Sequence, residues 1–415
     1  MTRRSESCGL LQAKDPEPMQ PLALSHMCIV SSVGFGQDAT LAALKSGSSG
    51  LLPCHFETVT LPTWTGEIEA LDNVRLPAEY AAFECRNNRL AEIALAQDGF
   101  ADKVRAAIER YGAARIGLFV GTSTSGILQT EQAFRARDPE GGNLAAGFQY
   151  QQTHNTGSLA AFLSARLGIM GPAFVVSCAC ASSAKAFGNA ARMIAAGICD
   201  AAIVGGADSL CLTTLYGFHS LNLNAPGPCR PFDLNRDGIS IGEAAGFVLL
   251  EPKRSRDGDG GVHLLGVGES NDAHHMSSPH PEGVGARLAM ERALGSAGLR
   301  PGDIDYINLH GTATRVGDIA EDTAVFNLFG DDPARGSTKG HTGHTLGAAG
   351  VVEAIISALA IRDNLLPGSP HTETIDPAFR GRYQIGSERA RVDRVLSNSF
   401  GFGGSNCSLV LGRPH

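Results

Sequence analysis

Short apolar runs alternate along this chain with alanine-rich stretches of helical spacing, and few architectures accommodate that order. Residues 116–120, 174–177, 201–204 and 306–309 read as buried parallel strands. Helices are predicted near 159–167, 181–196, 284–297, 319–329 and 347–362. A strand that is apolar on both faces must be covered on both, so the pattern predicts an α/β fold with helix-covered sheets. The order also repeats. Strand, small-residue turn, helix and strand occupy 175–205, and a comparable order fills 337–364, where Gly347-Ala348-Ala349-Gly350 opens a helix. Each copy closes with a glycine-rich approach to an apolar strand, at 238–251 and at 400–411. A duplicated α/β unit is expected, joined near the loop 254–261 with its run Asp257-Gly258-Asp259-Gly260-Gly261.

Composition narrows the function. The 415 residues, 43% of them hydrophobic, can bury a large core, and a net charge of −8 argues against a nucleic-acid surface. The 10 cysteines form no regular framework, which fits a reducing cytoplasm. Residues 1–22 are mostly polar, with Pro16, Pro18 and Pro21, and are expected to be a disordered lead. No run approaches the roughly 20 apolar residues of a membrane span, so no membrane insertion is expected.

Four segments carry chemistry. In Val175-Val176-Ser177-Cys178-Ala179-Cys180-Ala181-Ser182-Ser183 a strand gives way to a helix, and Cys180 falls at the junction. A helix N-terminus favours thiolate over thiol, as a sulfur nucleophile requires, although small buried cysteines are also common in such cores. His310, in Asn308-Leu309-His310-Gly311-Thr312-Ala313-Thr314, falls at the carboxyl edge of a strand, where α/β sheets gather ligand-binding groups. Asp318 reads as the N-cap of the helix that follows. The run Ser337-Thr338-Lys339-Gly340-His341-Thr342-Gly343-His344 holds an ammonium and two imidazoles in a tight turn. A metal is not expected there, because no second paired cysteine or acidic ligand has the right spacing. Ser399-Phe400-Gly401-Phe402-Gly403-Gly404 suits either a mobile loop over a pocket or a bulged strand. No dinucleotide or phosphate loop is present.

Together these segments resemble the β-ketoacyl-acyl-carrier-protein synthases, the elongating condensing enzymes of the thiolase superfamily. Cys229-Arg230-Pro231-Phe232-Asp233, Arg236-Asp237-Gly238 and Gly242-Glu243-Ala244-Ala245-Gly246 extend the likeness, which runs in family order from about 116 to 411. The resemblance implies a thiolase-like fold, with duplicated α/β halves in a five-layered αβαβα sandwich. It places the nucleophile in an N-terminal half, 23–256, and the catalytic histidines in a C-terminal half, 257–415. Cys180, rather than Cys178, would carry the acyl chain, with His310 and His344 as the two histidines. Initiating synthases would show Asn in place of the second. Lys339 and Glu321 match the charged pair that organises the histidines, and Glu353 and Asp318 stand behind them. Thr312 and Thr314 match contacts to the phosphopantetheine arm. Phe402 matches a gating residue, flanked by Gly401, Gly403 and Gly404, whose backbone N–H joins that of Cys180 in an oxyanion hole.

The implied reaction is a decarboxylative Claisen condensation of malonyl-carrier protein with the chain on Cys180. It belongs to fatty-acid or polyketide synthesis, with an aryl-polyene type among the possibilities. It uses no cofactor beyond carrier-bound phosphopantetheine. The implied partners are acyl carrier protein and a second copy or a related synthase-like subunit. Thr124, in Gly121-Thr122-Ser123-Thr124-Ser125-Gly126, stands where relatives carry a bulky aliphatic residue at the floor of the acyl pocket. An unpaired hydroxyl there would disfavour a purely alkyl chain by about 1–3 kcal/mol, and the segment Cys85 to Leu90 also has the look of aryl-polyene synthases. The alternative is a non-catalytic subunit like the chain-length factors, which keep the fold and usually lose the nucleophile. A thiolase acting on coenzyme A thioesters fits less well, since the second-half turn leads into the synthase-type Phe-Gly-Phe-Gly-Gly loop.

Overall fold

A computed structural model of the chain describes residues 18–144, 147–253 and 261–413. The first half contributes strands β1 (Leu22–Ser31), β2 (Ile116–Gly121), β3 (Ala173–Val176), β4 (Ala201–Asp208) and β5 (Ala244–Pro252). The second contributes β6 (His263–Asn271), β7 (Tyr306–Asn308), β8 (Ala334–Gly336), β9 (Arg394–Gly401) and β10 (Ser405–Gly412). Their spatial orders are β1-β5-β4-β2-β3 and β6-β10-β9-β7-β8, so each strand has a counterpart. The directions correspond too. β4, β2 and β3 are mutually parallel, as are β9, β7 and β8, while the two pairs of each half nearest the other half are antiparallel. The duplication expected from the sequence is therefore complete at the level of topology. A short antiparallel contact, Leu22–Ala23 with His263–Leu264, joins β1 to β6 and makes one continuous sheet.

Helices complete five layers. α1 (Arg86–Leu95), α2 (Phe100–Tyr111) and α3 (Ser158–Leu167) cover the outside of the first half. α5 (Val284–Ala297) and α6 (Arg315–Phe329) cover the outside of the second. Between the sheets lie α4 (Ser182–Ala195) and α7 (Ala349–Asp363). Strand periodicity explains how each sheet feeds two cores. Ala202, Val204, Val248 and Leu250 face the central layer, and Ala201, Ile203, Phe247 and Leu249 face the outer helices. α7 is buried from Ala349 through Ile361, as a helix enclosed by two sheets must be.

Several expectations need correction. Of the expected lead 1–22, residues 1–17 lie outside the described residues, but the Met19 N–H donates to the Ser296 carbonyl and Leu22 already belongs to β1. The expected join at 256/257 also lies outside the described residues. The Phe400–Gly404 segment is a paired hairpin, with β9 and β10 linked by a tight turn at Phe402–Gly404, not a loose loop. Asp318 is not a cap: α6 begins at Arg315 after an extended Thr314, so Asp318 sits in the first turn. Among the described residues, no helix is long and apolar enough to cross a membrane.

Candidate active site

The carboxyl ends of corresponding strands from both halves converge on one point. β3 runs into Cys180, β7 into His310, β8 into the turn holding Lys339 and His344, and β9 into Phe402. Ala179 takes a left-handed conformation at φ 54°, turning the chain sharply before Cys180. The Cys180 sulfur lies 2.9 Å from His344 Nε2. The His310 ring stands edge-on to that of His344 at 5.3 Å. Side-chain atoms of Cys180, His310 and His344 all fall within 4.8 Å of one another, and all three residues are buried.

A cavity of about 370 Å³ opens beside this group. Thr312 and Thr314, their hydroxyls 3.0 Å apart, line it together with Phe218 and Phe402. The Phe218 ring packs on the Phe402 ring at 5.6 Å. Gly401 lies close to the nucleophile's backbone: a Cβ there would stand 3.0 Å from the Cys178 carbonyl and 3.2 Å from the Cys180 nitrogen. Gly403 and Gly404 turn the hairpin at φ 78° and 73°, conformations costly for any side-chain-bearing residue. The turn is tied down by bonds from the Gly403 N–H to the Met276 carbonyl, 2.7 Å, and from the Asp272 N–H to the Gly404 carbonyl, 2.9 Å.

The charged pair differs from the one expected. Lys339 pairs with Glu353 rather than Glu321, and its ammonium also donates to the His310 carbonyl at 2.5 Å and lies 3.4 Å from His310 Nδ1. Glu321 instead holds the backbone, accepting the N–H groups of His310 and Gly311 at 2.8 Å each and the Asn398 amide at 3.1 Å. Asp318 supports the threonine turn by accepting the N–H groups of Phe232 and Ala313. An ammonium facing His310 Nδ1 leaves the proton on Nε2. His344 Nδ1 is buried with no hydrogen-bond partner, so nothing fixes the tautomer of that ring.

Electrostatics overturn one expectation. Burial pushes the Cys180 thiol up to about 12, against the pull of the Lys339 ammonium and of backbone N–H groups from Phe402 and Cys180 itself. Helix α4 begins two residues later, and desolvation outweighs what its dipole offers, so the resting sulfur is a thiol. Burial, and then the Lys339 charge, hold both histidines well below the usual imidazole value. The group rests as a neutral thiol beside two neutral imidazoles.

Thr124 does not fit its expected place. Its hydroxyl donates to Asp208 at 2.8 Å and accepts the Ser209 N–H, so it is not unpaired, and Thr124 is not among the residues lining the cavity. The segment from Cys85 is likewise structural: buried Arg86 pairs with Glu243 at 2.7 Å. Cys178 is half-buried, with its N–H on the Ser182 hydroxyl rather than its sulfur in the cluster. Sequence reasoning missed Phe218, Asn398 and Asp208. A carboxylate ending a strand as apolar as 201–207 was the one available signal.

The family model for the beta-ketoacyl synthase N-terminal domain matches residues 79–256, and that for the C-terminal domain matches 262–373. The chain belongs to the beta-ketoacyl synthase family. This synthase is 33% identical over 427 residues to 3-oxoacyl-[acyl-carrier-protein] synthase II, chloroplastic, of Arabidopsis thaliana, covering 98% of this chain and 78% of that protein. It is 31% identical over 416 residues to 3-oxoacyl-[acyl-carrier-protein] synthase 2 of Vibrio cholerae, covering 94% of this chain and 99% of that one. Among solved structures, the ketosynthase ApeO in complex with its chain length factor ApeC, from Xenorhabdus doucetiae, matches with a TM-score of 0.86 and 37% identity, covering 95% of this chain and 98% of that chain. The ishigamide ketosynthase/chain length factor matches with a TM-score of 0.84 and 28% identity, covering 96% and 100%.

Proposed function

We propose that this synthase is a 3-oxoacyl-[acyl-carrier-protein] synthase that condenses malonyl-carrier protein with an acyl chain held on Cys180. The carrying observation is the Cys180–His344 contact of 2.9 Å, with His310 edge-on beside it at the head of the cavity. Its relatives' names give the carrier-linked substrate. The thiol proton passes to His344 Nε2 as sulfur attacks the acyl thioester, and then to the departing carrier thiolate. The N–H groups of Cys180 and Phe402, which reach the sulfur at rest, receive the tetrahedral oxyanion.

In the second half-reaction the malonyl C–C bond breaks, carbon dioxide leaves, and the electron pair forms an enolate. His310 presents Nε2–H to that oxygen because Lys339 faces its other nitrogen. His344, whose tautomer is free, serves as proton acceptor in the first step and as a second Nε2–H donor in this one. The enolate carbon then attacks the acyl-Cys180 carbonyl, the C–S bond breaks, and the thiolate takes a proton that His344 relays from water. Neutral histidines suit this role, since they donate without trapping the malonyl carboxylate as a permanent ion pair. Family members use no cofactor beyond carrier-bound phosphopantetheine.

The full machinery around Cys180 favours this reading over a chain-length-factor-like subunit. Strand β3 is the outer strand of its half, with Phe174 about half exposed, which supports pairing with a second synthase-like chain. A cytoplasmic setting is supported by the nine described cysteines, all of them free. The halves 23–256 and 257–415 remain the proposed units. Supplying acyl- and malonyl-carrier proteins, alone and with a candidate partner subunit, tests the activity. The expected product is a β-ketoacyl-carrier protein lengthened by two carbons; no product under either condition would contradict the reading.

A further inference from the structure

Asp208 ends β4 with its side chain fully buried, and nothing in the proposed chemistry uses it. Its carboxylate accepts from the Thr122 hydroxyl at 2.7 Å and from the Ser123 N–H, Thr124 N–H and Thr124 hydroxyl at 2.8 Å each. The Gly347 N–H donates to its other oxygen at 2.5 Å. Both hydroxyls accept backbone N–H groups elsewhere, Ser125 on Thr122 and Ser209 on Thr124, so their protons are directed at Asp208. Burial raises the Asp208 carboxyl above the usual carboxylate value, and five donors with no acceptor oppose that rise by favouring the ionised form. Among the described residues, no lysine, arginine or histidine forms an ion pair with it.

The contacts reach both reacting groups. The Ser123 hydroxyl donates to the carbonyl of Ala179, the left-handed residue before Cys180, at 3.4 Å. Gly347 belongs to the other half of the molecule and follows His344 by three residues. A Cβ on Gly347 would stand 2.7 Å from Asp208 Oδ2 and 2.8 Å from the Ser123 hydroxyl, so the two turns meet with no room for a side chain. One carboxylate thus fastens the turn under the nucleophile to the turn carrying its histidine. We infer that Asp208 is a positioning residue that sets the Cys180–His344 separation across the two halves and places a buried charge behind the nucleophile's turn. The inference rests on condensation at Cys180. The charge has a consequence of its own: burial is the main cause that raises the Cys180 thiol, and a buried anion at Asp208 adds to it.

Two variants separate charge from geometry. Asp208→Asn removes the charge with little change in shape, whereas Gly347→Ala keeps the charge and forces the turns apart. In both, kcat for condensation is expected to fall about tenfold or more at an unchanged KM for malonyl-carrier protein, because neither residue lines the cavity beside Thr312 and Thr314. Alkylation of Cys180 by iodoacetamide at a fixed, mildly alkaline pH is expected to accelerate about threefold in Asp208→Asn alone, the result of a downward shift of about half a pH unit. Wild-type kcat in both variants would overturn the role, as would a fall in kcat matched by a rise in KM, or alkylation of Asp208→Asn at the wild-type rate. Should Asp208→Asn fail to fold, the kcat and KM of Gly347→Ala decide. Wild-type protein that makes no β-ketoacyl product would instead overturn the proposed function.

Discussion

Replacing Lys339 by methionine removes the charge that Glu353 and His310 share. Lys339 and Glu353 are 1% and 3% exposed, so neither has water to fall back on. Leaving one member of a buried pair without the other costs about 3–5 kcal/mol. That cost has a pH dependence that can be worked out. Burial pushes the Glu353 carboxyl from 4.5 up to about 7 even with Lys339 beside it, and without the ammonium it rises further. A carboxyl whose folded pKa exceeds its unfolded value binds more protons when folded, so stability falls as pH rises between the two. The Lys339→Met deficit should therefore be largest above neutral pH. Well below it, with Glu353 protonated in both proteins, the deficit shrinks to about 1–2 kcal/mol of lost hydrogen bonding. Urea unfolding at fixed protein concentration, repeated from mildly acid to mildly alkaline pH, measures this directly. A deficit that is absent, or the same at every pH, would refute the account of the pair.

Four further outcomes are expected. Both histidines are held well below 6.5, so condensation should stay level as pH falls through that value, and an acid limb centred there would contradict neutral, buried imidazoles. The same burial gives the histidines a contribution to stability that is lost as pH drops below 6.5, opposite in sign to that of Glu353, because the unfolded chain takes up protons that the native histidines refuse. Gly401→Ala places a methyl 3.0 Å from the Cys178 carbonyl, and displacing the hairpin should slow acylation of Cys180 about tenfold, read by intact mass against time; a wild-type rate would contradict the close approach. Thr124→Val leaves Asp208 and the Ser209 N–H each short of a partner and should cost about 1–3 kcal/mol in chemical denaturation with no change in preference among saturated acyl chains; a switch in chain preference would return Thr124 to the acyl pocket.

The sequence displayed the duplicated fold wherever strands are buried on both faces, because runs such as 116–120 and 201–204 carry no competing polar pattern. β9 was obscured by the alternation of glycine with phenylalanine at its end, which the hairpin uses for close approach to Cys180. β8 is three residues long and carries a buried arginine, Arg335, so no periodicity announced it. Cys180, His310, His344 and Lys339 were legible from motif and order. The pairing of Lys339 was not: Glu321 and Glu353 both stand on helices that reach the histidines, and only tertiary packing decides that one takes the ammonium and the other the backbone. The sulfur's protonation was misjudged for a related reason. A helix start is visible in sequence, but the depth at which the thiol is buried is not.

Peptide mapping of the acylated enzyme tests the central claim most directly. After incubation with an acyl-carrier protein and no malonyl donor, the account predicts one acyl group per chain, on Cys180, lost in Cys180→Ala and retained in Cys178→Ala. An acyl group found on Cys178, or one that survives Cys180→Ala, would contradict it.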